Sequence, residues 1–256
     1  MKKRPLVSLT ALALALSLSP AIAKINIDSD HCDVHSNYST RFDAQQITFT
    51  NDKSHRVVRL LPGGVIEVDG HALALNAEDQ AHAVDLEEAI RAIVPEAKKL
   101  AVDAVAIAFE AVGHVSTAFA SDAHQARESA LRIARTAEEL KHSINAREDW
   151  GPKSEHEISQ LIEGSVGSLI GEMVGNITAQ AIKVAFSGDE AAVAELEARA
   201  GSIEKNVEKA VGRHAQELEA RADDLCKRAH DLDRIESQIS ARLPDGSALD
   251  LIQVTR

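Results

Sequence analysis

Residues 154–187 read SEHEISQLIEGSVGSLIGEMVGNITAQAIKVAFS, and how this stretch packs decides the fold. Ser154 with Glu157 has the form of a capping box, in which each side chain satisfies the other residue's free backbone donor, so a helix is expected to open there. Within it Gly167, Gly171 and Gly175 recur every four residues, with Gly164 just before them and Ala179 continuing the row. Each glycine costs a helix about 1 kcal/mol relative to alanine, so the row asks packing to offset roughly 3 kcal/mol. The expectation is close helix packing inside the fold along Gly164, Gly167, Gly171, Gly175 and Ala179. Two alternatives are self-association through the row and insertion into a membrane, where such spacing assembles helices. Glu172, Asn176, Gln180 and Lys183 are expensive in lipid, which favours a water-soluble role. With Ser165 and Ser168 they also read as a polar, solvated stripe beside the glycines.

Working outward, the following helix is expected to begin at a second capping box, Ser187 with Glu190, and to run to about Ser240. The preceding one, Ser121–Arg147, places Ala123, Ala126, Ala130, Ile133, Ala137, Leu140 and Ile144 in alternating steps of three and four, a heptad seam. Earlier still, Asn76 suits an N-cap for a helix from Ala77 to Phe119. Pro95 should kink or restart that helix. Residues 100–112 are apolar nearly all round, which predicts the most buried helical segment.

Before Asn76 the period changes to two. Residues 47–50, 56–61, 65–68 and 72–75 read as strands, separated by Asn51-Asp52, Pro62-Gly63-Gly64 and Asp69-Gly70, all turn signals. A small antiparallel meander of three or four strands is expected, with one face on the helices. After Leu243-Pro244-Asp245-Gly246, residues 249–254 form a short β segment expected to return to the meander. The fold class is therefore α+β, mostly α: long antiparallel helices with a small N-terminal antiparallel β-meander, tied by a disulfide. Residues 24–256 form a single mature domain, divided into a meander over 24–75, a helical bundle over 76–242 and a C-terminal turn and strand over 243–256.

Residues 1–23 have the form of a secretory signal, with Lys2, Lys3 and Arg4, an apolar run from Leu6 to Leu18, and Ala21-Ile22-Ala23 as the cleavage site. The expected address is an oxidising compartment reached by export, with cleavage after Ala23. The chain has 28 basic and 40 acidic residues and a formal net charge of −12, and removing the leader's three bases makes it more negative still. That balance argues against nucleic acid as a partner, which needs clustered Lys and Arg. With seven aromatic residues among 256, counting Trp, Tyr and Phe, the core must be aliphatic.

Cys32 and Cys226 are the only cysteines, and an even pair in an exported chain is most simply a disulfide. His35 and His230 lie close to them in sequence, so Cys32, His35, Cys226 and His230 form an alternative tetrahedral zinc set. Glu155-His156-Glu157 reads as a proton-handling cluster or, more plainly, as a charged first helical turn. HExxH, Gly-x-Ser-x-Gly, phosphate-loop and dinucleotide patterns are absent, so neither catalytic residues nor cofactors are expected.

The order of these features resembles the YggN-like family of periplasmic proteins of unknown function. The resemblance rests on a signal peptide, a cysteine soon after cleavage, and a short β region with Pro-Gly and Asp-Gly turns. It continues with Leu75-Asn76-Ala77 at the first helix, a proline within that helix, and a lone Cys226 late in the last one. It implies a Cys32–Cys226 bridge and a periplasmic address and carries over no catalytic residue. The leading functional expectation is a non-enzymatic binding or scaffold protein with a protein partner in the cell envelope. A membrane-active or lipid-binding role through residues 154–187 is second, and a hydrolase with dispersed catalytic groups is third; a homo-oligomer is compatible with the first.

Overall fold

A computed structural model of the protein describes residues 32–255; the expected signal sequence, with its cleavage site, lies outside them. In order come β1 (Asp33–His35), β2 (Ser39–Phe42), β3 (Ile47–Thr50), β4 (Val57–Leu61), β5 (Val65–Val68) and β6 (His71–Ala72). There follow α1 (Ala77–Ala118), α2 (Ala123–Ala146), β7 (Asp149–Trp150), α3 (Pro152–Ser187), α4 (Glu190–Ser237) and β8 (Gln253–Thr255). The protein is thus mostly helical with an N-terminal antiparallel sheet. Strands β2 to β6 form a meander extended by β7, in the order β6-β5-β4-β3-β2-β7.

Side chains alternate across a strand, and every second residue of the meander is buried: Ile47, Phe49, Val58, Leu60, Ile66 and Val68. This face packs on Ala83, Leu86 and Ile90 of α1 and on Leu232 of α4, and Ile239, Leu243, Leu249 and Leu251 close the rim. The turns follow their chemistry. Asp69 and Gly70 both have positive φ, 53° and 85°, as the two-residue hairpin between β5 and β6 requires. Gly64 has φ +75° and sits so close to α1 that a Cβ would lie 2.3 Å from the Gln80 carbonyl oxygen. Asn76 caps α1 as expected, its side chain accepting the Asp79 amide at 2.8 Å.

The remainder is a bundle in which α1 packs against α4 and α2. Phe109, Ile133, Ala137, Leu140 and Ile144 make a second core, which Ile162, Val166 and Leu169 of α3 reach from outside. The α2 seam holds from Ile133 onward; in its first half Ser129 is buried in place of Ala130. Cys32 and Cys226 form the expected disulfide, with Cα atoms 5.8 Å apart and a sequence separation of 194.

Several expectations are corrected. Helix α1 does not restart at Pro95 but continues through it, because Ile90, Ile93 and Val94 before it and Leu100 after it are all held in packed cores or buried. Residues 100–112 are not the most buried segment. Leu100 and Phe109 are buried and the other apolar residues there are half-buried, since α2 and α4 cover two sides of a helix that is apolar on more than two. Helix α3 starts at Pro152 rather than at Ser154, since proline suits the first helical position, where its missing N–H is not needed. Asp189, not Ser187, caps α4, its side chain accepting the amides of Ala191 and Ala192. Residues 249–254 do not join the meander; β8 pairs with β1 in a separate two-stranded sheet, with Val34 opposite Val254.

The largest correction concerns the glycine row. A Cβ added at Gly164, Gly167, Gly171 or Gly175 would meet nothing within 4 Å, so among the described residues no helix packs closely there. Ala179 is exposed beside them. The inward side of α3 is instead the stripe Ile158, Ile162, Val166, Leu169, Met173, Ile177 and Val184, each half-buried. The residues expected to form a solvated polar edge divide: Ser165, Asn176 and Gln180 turn inward with this stripe, while Ser168, Glu172 and Lys183 remain exposed. Bulky aliphatic side chains gain more from burial than glycines do, about 25 cal/mol per Å² of apolar surface, and their stripe wins the inner face.

Candidate functional site

Helix α3 is apolar on two opposite sides. Its inner stripe is tethered to the bundle at three levels. Arg147 pairs with Glu157 at 3.0 Å, Arg132 of α2 pairs with Glu172, and the Gln180 side-chain amide donates to the Phe119 carbonyl. These contacts run along α2 in antiparallel order and fix which side of α3 turns outward. The outward side carries Gly164, Gly167, Gly171, Gly175 and Ala179, flanked by large apolar side chains left in water. Ile170 is 44% exposed, Val174 47%, Ile182 52% and Phe186 87%. A phenylalanine at that exposure surrenders most of its burial energy, and an amphipathic surface helix would place polar residues there. Glycines on this side leave a shallow track along which another backbone can approach.

The second constellation joins the sheet end to α4. Cys226 and His230 stand one turn apart on one face of α4, and β1 delivers Cys32 to them. The ligand atoms of Cys32, Cys226 and His230 all lie within 4.8 Å of one another. His35 does not join them: it is exposed, and its Nε2 sits 2.8 Å from Asp33 Oδ2. Among the expected zinc ligands three therefore converge and one does not.

A third feature escaped the sequence reading. Glu236 is 3% exposed, and its two oxygens accept the amides of Leu251 at 2.7 Å and Ile252 at 3.2 Å. Burial pushes its carboxyl up to about 7, against the pull of those two donors and with the help of nearby Asp250 and Asp233. Its position between Leu232 and Ile239, on the buried face of α4, was the available signal.

His156, in the Glu155-His156-Glu157 turn, contacts Gln160 one turn on. Two surface clefts, one beside Arg132 and Glu172 and one beside Tyr38 and Arg56, are lined by no histidine. A family profile described as a protein of unknown function (DUF2884) matches residues 32–252. That span opens at Cys32 and includes both core clusters and all of α3. Neither a curated protein nor a solved structure matches the chain.

Proposed function

The chain belongs to the DUF2884 family of proteins of unknown function, and from that premise we propose that it is a non-enzymatic binding or scaffold protein. It presents the outer side of α3 to an apolar helix of another protein in the cell envelope. The single observation that supports this reading is the exposure of Phe186, Ile182, Val174 and Ile170 along a glycine track. A helix with apolar stripes on two opposite sides needs cover on both, and α3 gains the second cover once another helix lies on its outer side. Glycines let that helix approach closely, and the flanking side chains supply the apolar area. The reading includes the YggN-like character, export through residues 1–23 and the periplasmic address expected from the sequence. A photo-crosslinking residue in place of Phe186, activated in intact cells, tests it. The expected product is an adduct with a second protein that Gly171→Leu suppresses. Adducts to lipid alone, or a protein adduct indifferent to Gly171→Leu, overturn it.

A membrane-facing role is the second reading, and one observation favours it. Among the described residues one helix, α1, has an 18-residue window apolar enough to cross a bilayer, with mean hydropathy 1.4 and only 11% of the window buried. Core helices of water-soluble proteins pass the same test, and the charged pairs Asp103–Arg221 and Glu96–Arg228 lie along this helix. Flotation with liposomes separates the readings: protein that rises with anionic or zwitterionic vesicles supports the membrane, and protein that stays below removes it.

A further inference from the structure

The cluster of Cys32, Cys226 and His230 holds more than a crosslink. Its three ligand atoms are already within 4.8 Å of one another. Around one zinc, ligands at 2.0–2.3 Å from the metal are separated by roughly 4 Å at most, so small side-chain rotations suffice to bring these three onto a common point. We propose that, once the disulfide is reduced, the two thiolates and the His230 imidazole bind one thiophilic d10 cation, Zn2+ or Cu+. A dithiol supplies the two electrons and two protons of that reduction and is itself oxidised to a disulfide. Metal binding then releases both thiol protons. Two sulfurs and one nitrogen suit Cu+ as a three-coordinate set and Zn2+ with a water or an outside ligand in the fourth position. Disulfide and metal exclude each other, so the site is loaded only in the reduced chain.

The ligands stay together without the disulfide because other contacts hold their elements. Arg228, two residues from each of Cys226 and His230, pairs with Glu96 of α1 at 2.6 Å. The pairing of β1 with β8 keeps the strand after Cys32 in place, and Glu236 binds the backbone just before β8. Cys226 is buried and both Cys32 and His230 are half-buried, which shelters a bound ion from bulk competitors while leaving a path for entry.

The test is an anaerobic titration of the full reduced chain with Zn2+ and, separately, with Cu+, against a chromogenic competitor. One equivalent of at least one ion is expected in the reduced protein and none in the oxidised protein, with both thiols shielded from alkylation by the metal. Losing an outer hydrogen-bond partner of a ligand costs metal sites about 10–100-fold in affinity, so His230→Ala should weaken binding at least tenfold, and His35→Ala should leave it unchanged. Three results overturn the proposal: no ion retained by the reduced chain, equal affinity in His230→Ala, or a reduced chain that loses its helical signal and does not regain it with either ion.

Discussion

The Asp79 carboxylate clasps Ser240, with Oδ1 accepting the Ser240 amide at 2.6 Å and Oδ2 accepting its hydroxyl at 3.0 Å. The first turn of α1 is thereby fastened to the chain leaving α4, at the point where the meander rests on both helices. Those hydrogen bonds hold the Asp79 carboxyl below the ordinary carboxylate range, so its contribution to stability is present above about pH 4 and fades as pH falls further.

Asp79→Ala removes both acceptors and leaves the Ser240 amide without its partner, a more costly change than losing the whole pair. A drop of several degrees in Tm is expected at pH 7, with a smaller drop for Ser240→Ala, which keeps the amide bond. Circular-dichroism melts check this, and equal Tm values for Asp79→Ala and wild type would show that the clasp is idle.

Glu236 works in the opposite direction. Its folded pKa of about 7 stands above the ordinary 4.5, so the folded chain holds a proton that the unfolded chain has released. Stability therefore falls as pH rises from about 4.5 to about 7 and levels off above that, by a total on the order of 3 kcal/mol for this group alone. Glu236→Gln keeps an acceptor for one amide, has no ionisation, and should flatten the curve across that window. Urea titrations at half-unit pH steps measure it; an unchanged slope in the variant would place the dependence elsewhere.

Gly171 separates stability from binding. Its absent Cβ faces open space, so Gly171→Ala should stabilise the protein by about 0.5–1 kcal/mol through helix propensity and the entropy of the unfolded chain. Ile182→Asp, at a side chain already 52% exposed, should leave Tm within a degree or two while abolishing the protein crosslink formed from position 186. A marked loss of stability in either variant would mean that the outer side of α3 is covered within the chain.

Cys32→Ser with Cys226→Ser should cost about 2–5 kcal/mol, the range for removing a disulfide that closes a long loop, and should leave the helical content at 25 °C intact. Neither core cluster is built on the two cysteines: one joins the sheet to α1 and α4, the other joins α1, α2 and α3. Chemical denaturation followed by circular dichroism gives both quantities.

What the sequence made legible was local. Asp69-Gly70, Gly63-Gly64 and Asn76 each act through their own backbone conformation or a neighbour's amide, so the meander and the start of α1 followed from them. The disulfide followed from cysteine arithmetic. The orientation of α3 did not, because the helix has two apolar stripes. Gly164, Gly171 and Gly175 form one, and Ile162, Leu169 and Met173 the other; periodicity alone cannot say which faces the bundle. The position of β8 was missed because pairing with β1 depends on where the disulfide and Glu236 hold the two chain ends. Glu236 itself looked like one more acid among forty, although its register with Leu232 and Ile239 sets it apart.

The bridge between Cys32 and Cys226 turns nearly the whole described chain into a covalent ring, with α3 as its outlying arc. A protease that cuts the exposed backbone anywhere on that arc opens the ring without dividing the molecule. The nicked chain migrates as a single species until it is reduced, and only then separates into two pieces. Damage on the side offered to a partner is therefore carried as a scar, with both halves still joined.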